Sequence, residues 1–167
     1  MIGNSADLTT QPRKAKKYGP IPLEAASDAE KGFVAGLIDG EGSLDIAVYP
    51  RTLYLGGGRK NPILRRDWSM IYRYPRLRVE MADYGDVSEL ARLFGERCLP
   101  SRGRYFRVRI MGGRCMRVLL IIYPIIRNIT KRKIIENWIP RFSYQITNPA
   151  KLEPNPGTRP HRSEPAI

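Results

Sequence analysis

The chain has 167 residues, which is the length of one domain with a hydrophobic core of its own. Its 29 Lys and Arg residues exceed its 16 Asp and Glu residues, and the formal net charge is +13. Because such side chains release counterions when they neutralise phosphates, this charge predicts a polyanionic partner. The single histidine, His161, lies in a proline-rich segment, which excludes histidine-based triads and histidine-rich metal sites within the fold.

The two cysteines, Cys98 and Cys115, belong to no cluster of metal ligands and indicate reduced thiols packed in or near the core. The sequence shows neither a signal peptide nor an apolar run long enough to cross a membrane. We therefore expect a soluble, intracellular protein with no membrane partner and no organic cofactor.

Three regions are distinguished by composition. Residues 1–25 hold four basic residues among prolines without periodicity, and they predict a basic arm that lies on phosphate or is disordered. Residues 26–147 are expected to form the folded domain. Residues 148–167 are rich in proline and predict a disordered tail.

The domain is predicted to begin with a helix whose glycines share one face. Ser27 and Glu30 have the spacing of a capping box, and Gly32, Gly36 and Gly40 then recur every four residues. Each interior glycine costs a helix about 1 kcal/mol relative to alanine, so we expect close contact with a second helix to offset the cost. The run is too short for a membrane span, so that partner should be a soluble helix.

Two carboxylates stand at the end of this helix. The pattern predicts that the helix stops near Asp39, with Gly40 and Gly42 as breakers, and that Glu41 follows directly. A helix C-terminus disfavours anions by some tenths of a kcal/mol, a penalty that a divalent cation would reverse. The sequence therefore indicates a cation site at the helix end.

Hydrophobic periodicity predicts the remaining elements. Strands with one buried face are predicted at 43–51, 68–82 and 106–110, with a glycine-rich basic loop at 56–62 and a glycine pair that ends the last strand at 112–113. Helices are predicted at 86–97, 114–126 and 131–139. A further strand at 98–104 is poorly defined, because turn residues dominate that segment.

The nonapeptide from Val34 to Gly42 closely resembles the signature of the LAGLIDADG homing endonucleases, with valine, glycine and glutamate at the first, seventh and eighth places. The resemblance implies an α+β fold of order αββαββα, with a DNA-binding antiparallel sheet and the motif helix at a dimer interface. A single motif implies half of a symmetric homodimer, whose isologous contact suits a self-complementary glycine face. The expected interface residues are Gly32, Ala35, Gly36, Asp39 and Gly40.

The resemblance also implies a set of catalytic residues. Glu41 matches the metal-binding acid, with Gly40 beside it in the metal site, whereas Asp39 fits a structural acid near the interface. The implied cofactor is Mg²⁺, for which Ca²⁺ or Mn²⁺ substitutes in binding or cleavage. Asp83 is placed as the polar residue after the second strand, or else forms a turn. Lys131 is placed as the basic residue, with Arg132 and Lys133 as alternatives in a run that is otherwise a solvated helix start.

Charged residues on the strand faces opposite the core predict a duplex DNA surface. A β-ribbon fits the major groove, where arginine binds guanine bidentately and carboxylates accept from cytosine. The alternative is an ordinary exposed strand face, which is commonly charged. The predicted DNA-binding residues are Asp45, Tyr49, Arg51, Arg76, Arg78, Glu80, Arg107 and Arg109.

These expectations favour a homodimeric, Mg²⁺-dependent, site-specific DNA endonuclease of the intron-homing type acting on a near-palindromic site. The alternative is a non-catalytic nucleic-acid-binding protein on the same fold, such as an RNA-splicing maturase. A ribosome-associated basic protein is a third possibility, but it leaves the glycine face unexplained. The acid at Glu41 favours cleavage, because a pure binder gains nothing from an unpaired carboxylate facing phosphate.

Overall fold

The computed structural model describes residues 20–58 and 60–147. The predicted tail and nearly all of the predicted basic arm lie outside these residues. The folded region includes residues assigned to the arm, because a 3₁₀ helix spans Pro22–Ala25 and the side chains of Ile21 and Leu23 belong to the core.

The first α-helix, α1, spans Asp28–Glu41 and starts with the predicted capping box. The Ser27 hydroxyl accepts from the Glu30 amide at 3.3 Å, and the Glu30 carboxylate accepts from the Ser27 amide at 2.8 Å. The helix runs two residues past Asp39 and ends only at Gly42, so Gly40 lies inside it. A Cβ at Gly42 would lie 2.6 Å from the Ile38 carbonyl oxygen, which explains glycine at the junction.

Four antiparallel strands form one sheet in the order β1-β2-β4-β3. They are β1 Gly42–Gly58, β2 Asn61–Met81, β3 Leu99–Pro100 and β4 Phe106–Met111. The predicted loop at 56–62 is therefore the tip of a long hairpin. The outer half of that hairpin shows no alternating pattern because both of its faces are largely exposed. The poor signal at 98–104 reflects a strand of two residues.

Four further α-helices lie within the described residues: α2 Tyr84–Phe94, α3 Gly112–Ile122, α4 Ile129–Phe142 and α5 Tyr144–Thr147. The glycine pair follows directly after the end of β4, as predicted, and it also forms the first two residues of α3. A Cβ at Gly113 would lie 2.1 Å from the Gln145 carbonyl oxygen, so the close approach of α5 requires glycine there. The prediction for α2 began two residues late and ran three residues too far, because Gly95 ends the helix in the left-handed conformation with φ 62°.

The helices cover one face of the sheet, and alternate strand residues define that face. Leu77, Val79, Val108 and Ile110 are buried in the core with residues from α1, α2, α3 and α4. The intervening residues of β2 and β4 belong to the opposite face, as the period of two predicted. The α+β prediction is confirmed. Within the described ranges, no helix combines the length and the apolar character needed to cross a membrane.

Candidate functional site

Glu41 lies where α1 passes directly into β1. In the pairing of β1 with β2, Gly42 lies opposite Val79. Glu41, the residue before Gly42, is therefore aligned with Glu80, the residue after Val79. The two carboxylates line a cleft of about 610 Å³ at the edge of the uncovered sheet face. The complete lining consists of Glu41, Ser43, Arg78, Glu80, Ser101, Arg102, Tyr105 and Arg107.

The cleft combines two acids with three arginines. Magnesium is commonly held by one or two carboxylates, several waters and substrate phosphate oxygens, and the donor set of Glu41 and Glu80 fits that requirement. The described residues contain no group of three or more histidine, cysteine or carboxylate ligands. Arg78, Arg102 and Arg107 supply cationic donors suited to phosphate oxygens.

Asp83 is not among the residues that line the cleft. It is the N-cap of α2, where its Oδ1 accepts from the Asp86 amide at 2.9 Å. This position matches the plainer of the two sequence interpretations, a residue that forms a local turn. The residue near the end of β2 that shares the cleft with Glu41 is Glu80.

Lys131 is the member of the basic run that contacts the motif helix. Its Nζ donates to the carbonyl oxygens of Ile38 and Asp39 at 2.5 and 2.7 Å. Burial lowers the pKa of Lys131, and the negative charges of Asp39 and Glu41 oppose that shift. An ammonium on these carbonyls complements the negative end of the α1 macrodipole.

The two neighbours of Lys131 point to other roles. Arg132 donates from Nη1 to the Ile126 carbonyl oxygen at 3.0 Å, and its guanidinium lies 4.7 Å from the ring centroid of Tyr123. Lys133 is exposed and has no hydrogen bond or ion pair within the described part of the chain. Of these three basic residues, Lys131 is therefore the one that links α4 to the last turn of α1.

Asp39 makes a second link between the same elements. Its Oδ2 accepts from the Arg127 amide at 2.8 Å, and its Oδ1 accepts from the Asn128 amide at 3.2 Å. Asn128 is the N-cap of α4 and accepts from the Lys131 amide at 3.1 Å. Both oxygens of Asp39 are thus engaged inside the chain, which is the arrangement of a structural carboxylate.

The glycine face of α1 has no partner among the described residues. A Cβ built on Gly32, Gly36 or Gly40 would have no neighbouring atom within 4 Å. Ala35, which was assigned to the same interface, is instead 1% exposed and belongs to the core of this chain. The residues that the structure describes therefore make no contact on this face that would offset the loss of helix stability caused by the glycines.

The uncovered sheet face holds seven of the eight predicted DNA-binding residues, and Arg51 follows further along β1. Asp45 and Arg76 neutralise each other through two hydrogen bonds of 2.6 Å. These bonds from Arg76 hold the pKa of the Asp45 carboxyl below its ordinary value. The Tyr49 hydroxyl contacts the sulfur of Met111 at 3.6 Å.

Arg78 lies directly opposite Arg109 across β2 and β4. Neither guanidinium makes a hydrogen bond or an ion pair within residues 20–58 and 60–147, whereas Arg76 is neutralised beside them. Like charges directly opposite each other destabilise a sheet. Phosphate groups would relieve this repulsion.

No family model and no curated protein sequence matches this chain. Solved structures do match. The homing endonuclease I-CvuI in complex with its target in the presence of Ca aligns with a TM-score of 0.51 and 13% identity, covering 73% of this chain and 70% of that chain. I-CvuI in complex with the I-CreI target in the presence of Mg aligns at 0.50 and 13%, covering 73% and 72%.

The fold is that of a LAGLIDADG homing endonuclease. The homing endonuclease I-TnaI also aligns, at a TM-score of 0.49 and 15% identity, covering 70% of this chain and 74% of that chain. The two I-CvuI alignments confirm, at the level of the fold, the resemblance seen in the nonapeptide.

Sequence reasoning missed three features of the site in this LAGLIDADG fold. It placed Glu80 on the DNA face but did not bring it to Glu41, and it did not pair Asp45 with Arg76. It also missed the turn before β4, where the Ser101 amide donates to the Tyr105 carbonyl oxygen at 2.8 Å and the turn lines the cleft. The basic and aromatic residues at 101–107 were the available signal for a binding segment. Their position beside Glu41 and Glu80 depends on strand register, which the sequence does not reveal.

Proposed function

We propose that the chain is a site-specific, double-stranded DNA endonuclease that hydrolyses phosphodiester bonds as a metal-dependent homodimer. The observation that carries this proposal is the cleft in which Glu41 and Glu80 lie among Arg78, Arg102 and Arg107. Carboxylates surrounded by phosphate-binding side chains suit hydrolysis of a phosphate ester and do not help a protein that only binds.

The unpaired arginines favour duplex DNA as the substrate. Arg78 and Arg109 gain from contact with phosphates or with guanine, because neither guanidinium makes a hydrogen bond or an ion pair within the described residues. Arg76 is oriented by the bidentate contact with Asp45, which fixes where its remaining donors face. The solved structures with the same fold include I-CvuI bound to its DNA target.

Glu41 and Glu80, with the backbone of Gly40 beside them, are the groups that would hold the cation. When bound, a divalent cation activates water and offsets charge on the scissile phosphate. Arg78 and Arg107 would bind the non-bridging phosphate oxygens and orient the ester. Lys131 fixes the last turn of α1 and so holds the Glu41 backbone in place.

The homodimer is proposed on the exposed glycines of α1. Gly36 and Gly40 are exposed and leave room for another backbone. A two-fold contact along this face brings two copies of the α1 C-terminus together, and with them two copies of Glu41. Two such sites cut two strands and require a near-palindromic target.

The test incubates the protein with a library of near-palindromic duplexes and Mg²⁺, followed by sequencing of the broken ends. Glu41→Gln and Glu80→Gln keep shape but remove charge, so cleavage should fall by orders of magnitude while specific binding persists in Ca²⁺. Asp83→Asn is the matched control, since Asp83 lies outside the cleft lining, and it should cleave at a rate close to the wild type. A Glu41→Gln protein that cuts at the wild-type rate would refute the mechanism. Binding without cleavage by the wild type would instead favour the maturase-like alternative.

A further inference from the structure

The hairpin of β1 and β2 begins to extend beyond the rest of the sheet at a defined point. β2 pairs with β4 as far as Arg76, which lies opposite Met111, and from there outward the only strand that pairs with β2 in the described sheet is β1. β4 stops because Gly112, with φ 64°, turns the chain into α3. We call residues 73–75, the first of β2 without β4 beside them, the hairpin root.

The short helix α5 lies beside this root. A Cβ on Gly113 would clash with the Gln145 carbonyl oxygen, so α5 packs directly on the start of α3. The Gln145 side chain is 3% exposed, and its Nε2 donates to the Arg73 carbonyl oxygen at 3.3 Å and to the Tyr144 hydroxyl at 3.1 Å. Gln145 therefore gives the hairpin root a hydrogen-bond donor where β4 supplies none.

The same side chain is packed against the uncovered face of the sheet. A Cβ on Gly112 would lie 3.6 Å from Gln145 Oε1 and 3.6 Å from Cδ1 of Tyr74. The Tyr74 ring in turn lies 6.0 Å, centroid to centroid, from the ring of Tyr49, which belongs to the proposed DNA surface. Contacts thus run from α5 through the root to a residue of that surface.

Stability alone does not explain a glutamine at this position. Its Oε1 is buried and has no hydrogen-bond partner among the described residues. A buried acceptor that is left unpaired destabilises a fold, and an apolar side chain of the same volume would avoid that penalty. Because a carbonyl oxygen only accepts, the atom that faces Arg73 is the amide nitrogen. What glutamine adds over an apolar residue is this bond to the root.

A small change of angle at the root has a large effect at the end of the hairpin. Val48 pairs with Arg73, and the ten residue steps from Val48 to Gly58 give a length of about 33 Å. A rotation of about 10° at the root would move the end by about 6 Å, which is close to two base-pair steps of about 3.4 Å. The direction of the hairpin therefore determines which base pairs its side chains meet.

We propose that Gln145 is a positioning residue, which fixes the angle at which the hairpin extends from the sheet and so the spacing between the flanking DNA contacts and the cleaved bonds. This inference rests on the proposed function. Gln145 does not touch DNA in this proposal, because it is buried between α3 and β2 and acts through the Arg73 backbone.

The test compares two duplexes that differ only in spacing. The first is a duplex that the wild type cleaves, selected from the library of near-palindromic sites in Mg²⁺. The second has one extra base pair in each half-site, between the cleaved positions and the flanking sequence. Because a fixed hairpin meets the wrong bases on the second duplex, we expect wild-type cleavage of it to be at least about tenfold slower.

Two variants at Gln145 remove the contact in different ways. Gln145→Met keeps the volume but lacks the donor, and it should reduce the wild-type ratio of the two rates at least about threefold, as expected for one hydrogen bond. Its KM for the first duplex should rise while kcat stays close to the wild-type value, because the cleft is unchanged. Gln145→Asn keeps the amide but is one methylene too short to reach the Arg73 carbonyl, so it should behave like Gln145→Met.

A core variant separates positioning from a general loss of stability. Ile135 of α4 is 0% exposed, and Ile135→Val removes one methyl group from the core without touching the root. Urea unfolding of all three variants shows whether their losses of stability are comparable. Ile135→Val should keep the wild-type ratio of cleavage rates on the two duplexes.

The possible failures are distinguishable. If both variants at Gln145 keep the wild-type ratio, or if Ile135→Val lowers the ratio as much as they do, Gln145 does not position the hairpin and the proposed function stands. If the wild type cleaves no duplex of the library, the proposed function is refuted and this inference with it.

Discussion

Replacement of Lys131 by methionine separates a structural role at the motif helix from a role in the chemistry. Methionine keeps an unbranched apolar stem and removes the ammonium, so the packing of the side chain changes little. The two carbonyl oxygens that accept from Nζ then differ in the hydrogen bonds that remain to them. Ile38 still accepts from the Gly42 amide, whereas Asp39 is left to water.

These contacts set the magnitude of the effect. A hydrogen bond from a charged donor contributes roughly 1.5–3 kcal/mol, and a cation at a helix C-terminus typically contributes about 0.3–1 kcal/mol. Because Lys131 is only half-buried and one acceptor keeps another donor, we expect Lys131→Met to lower the free energy of unfolding by about 1–2 kcal/mol. Cleavage should fall further than this loss explains, because the α1 C-terminus also positions Glu41.

Urea unfolding at fixed protein concentration measures the first effect, and single-turnover cleavage at saturating Mg²⁺ measures the second. The control is Lys133→Met. It removes the same charge from an exposed side chain two residues further along α4, and it should change the free energy of unfolding by less than about 0.5 kcal/mol. Equal unfolding curves for the two variants would show that Lys131 does not stabilise α1. Wild-type cleavage by Lys131→Met would exclude it from the catalytic site.

Two further predictions concern assembly and binding. Gly36→Leu should yield monomers in sedimentation because its side chain occupies the space left for the partner helix, whereas an unchanged dimer would exclude this interface. Arg78→Ala and Arg109→Ala should each reduce the salt dependence of binding by about 0.9 log unit per log unit of salt for a lost phosphate contact. They should also relax base preference, and an equal loss of affinity for every sequence would identify them as phosphate contacts only.

The motif helix was predicted well because its signals are local. The capping box between Ser27 and Glu30 involves residues three apart, and the glycine spacing lies within one helix. The end of the helix was misplaced because Gly40 costs helix stability without forcing a break. What ends α1 is the turn into β1 at Gly42, where no side chain fits beside Ile38.

The outer half of the hairpin of β1 and β2 was not predicted as strand, for a physical reason. Alternating hydrophobicity arises when one face of a strand is buried, and between Arg51 and Trp68 neither face is covered by the core. Only the cross-strand hydrogen bonds define those strands.

Two register shifts in the hairpin of β1 and β2 determine which residue of β2 is aligned with Glu41. Counted from the tip, where Gly58 lies opposite Asn61, an unbroken ladder would pair Gly42 with Leu77 and bring Arg78 into line with Glu41. The extra residue at Leu55 and the three at Trp68–Met70 shift the register by a net two residues, so Glu80 takes that place instead. An even shift leaves every side chain on its original face, because strand periodicity is two. The sequence could therefore place Glu80 on the correct face from alternation alone, but the second carboxylate of the cleft depends on bulges that alternation does not reveal.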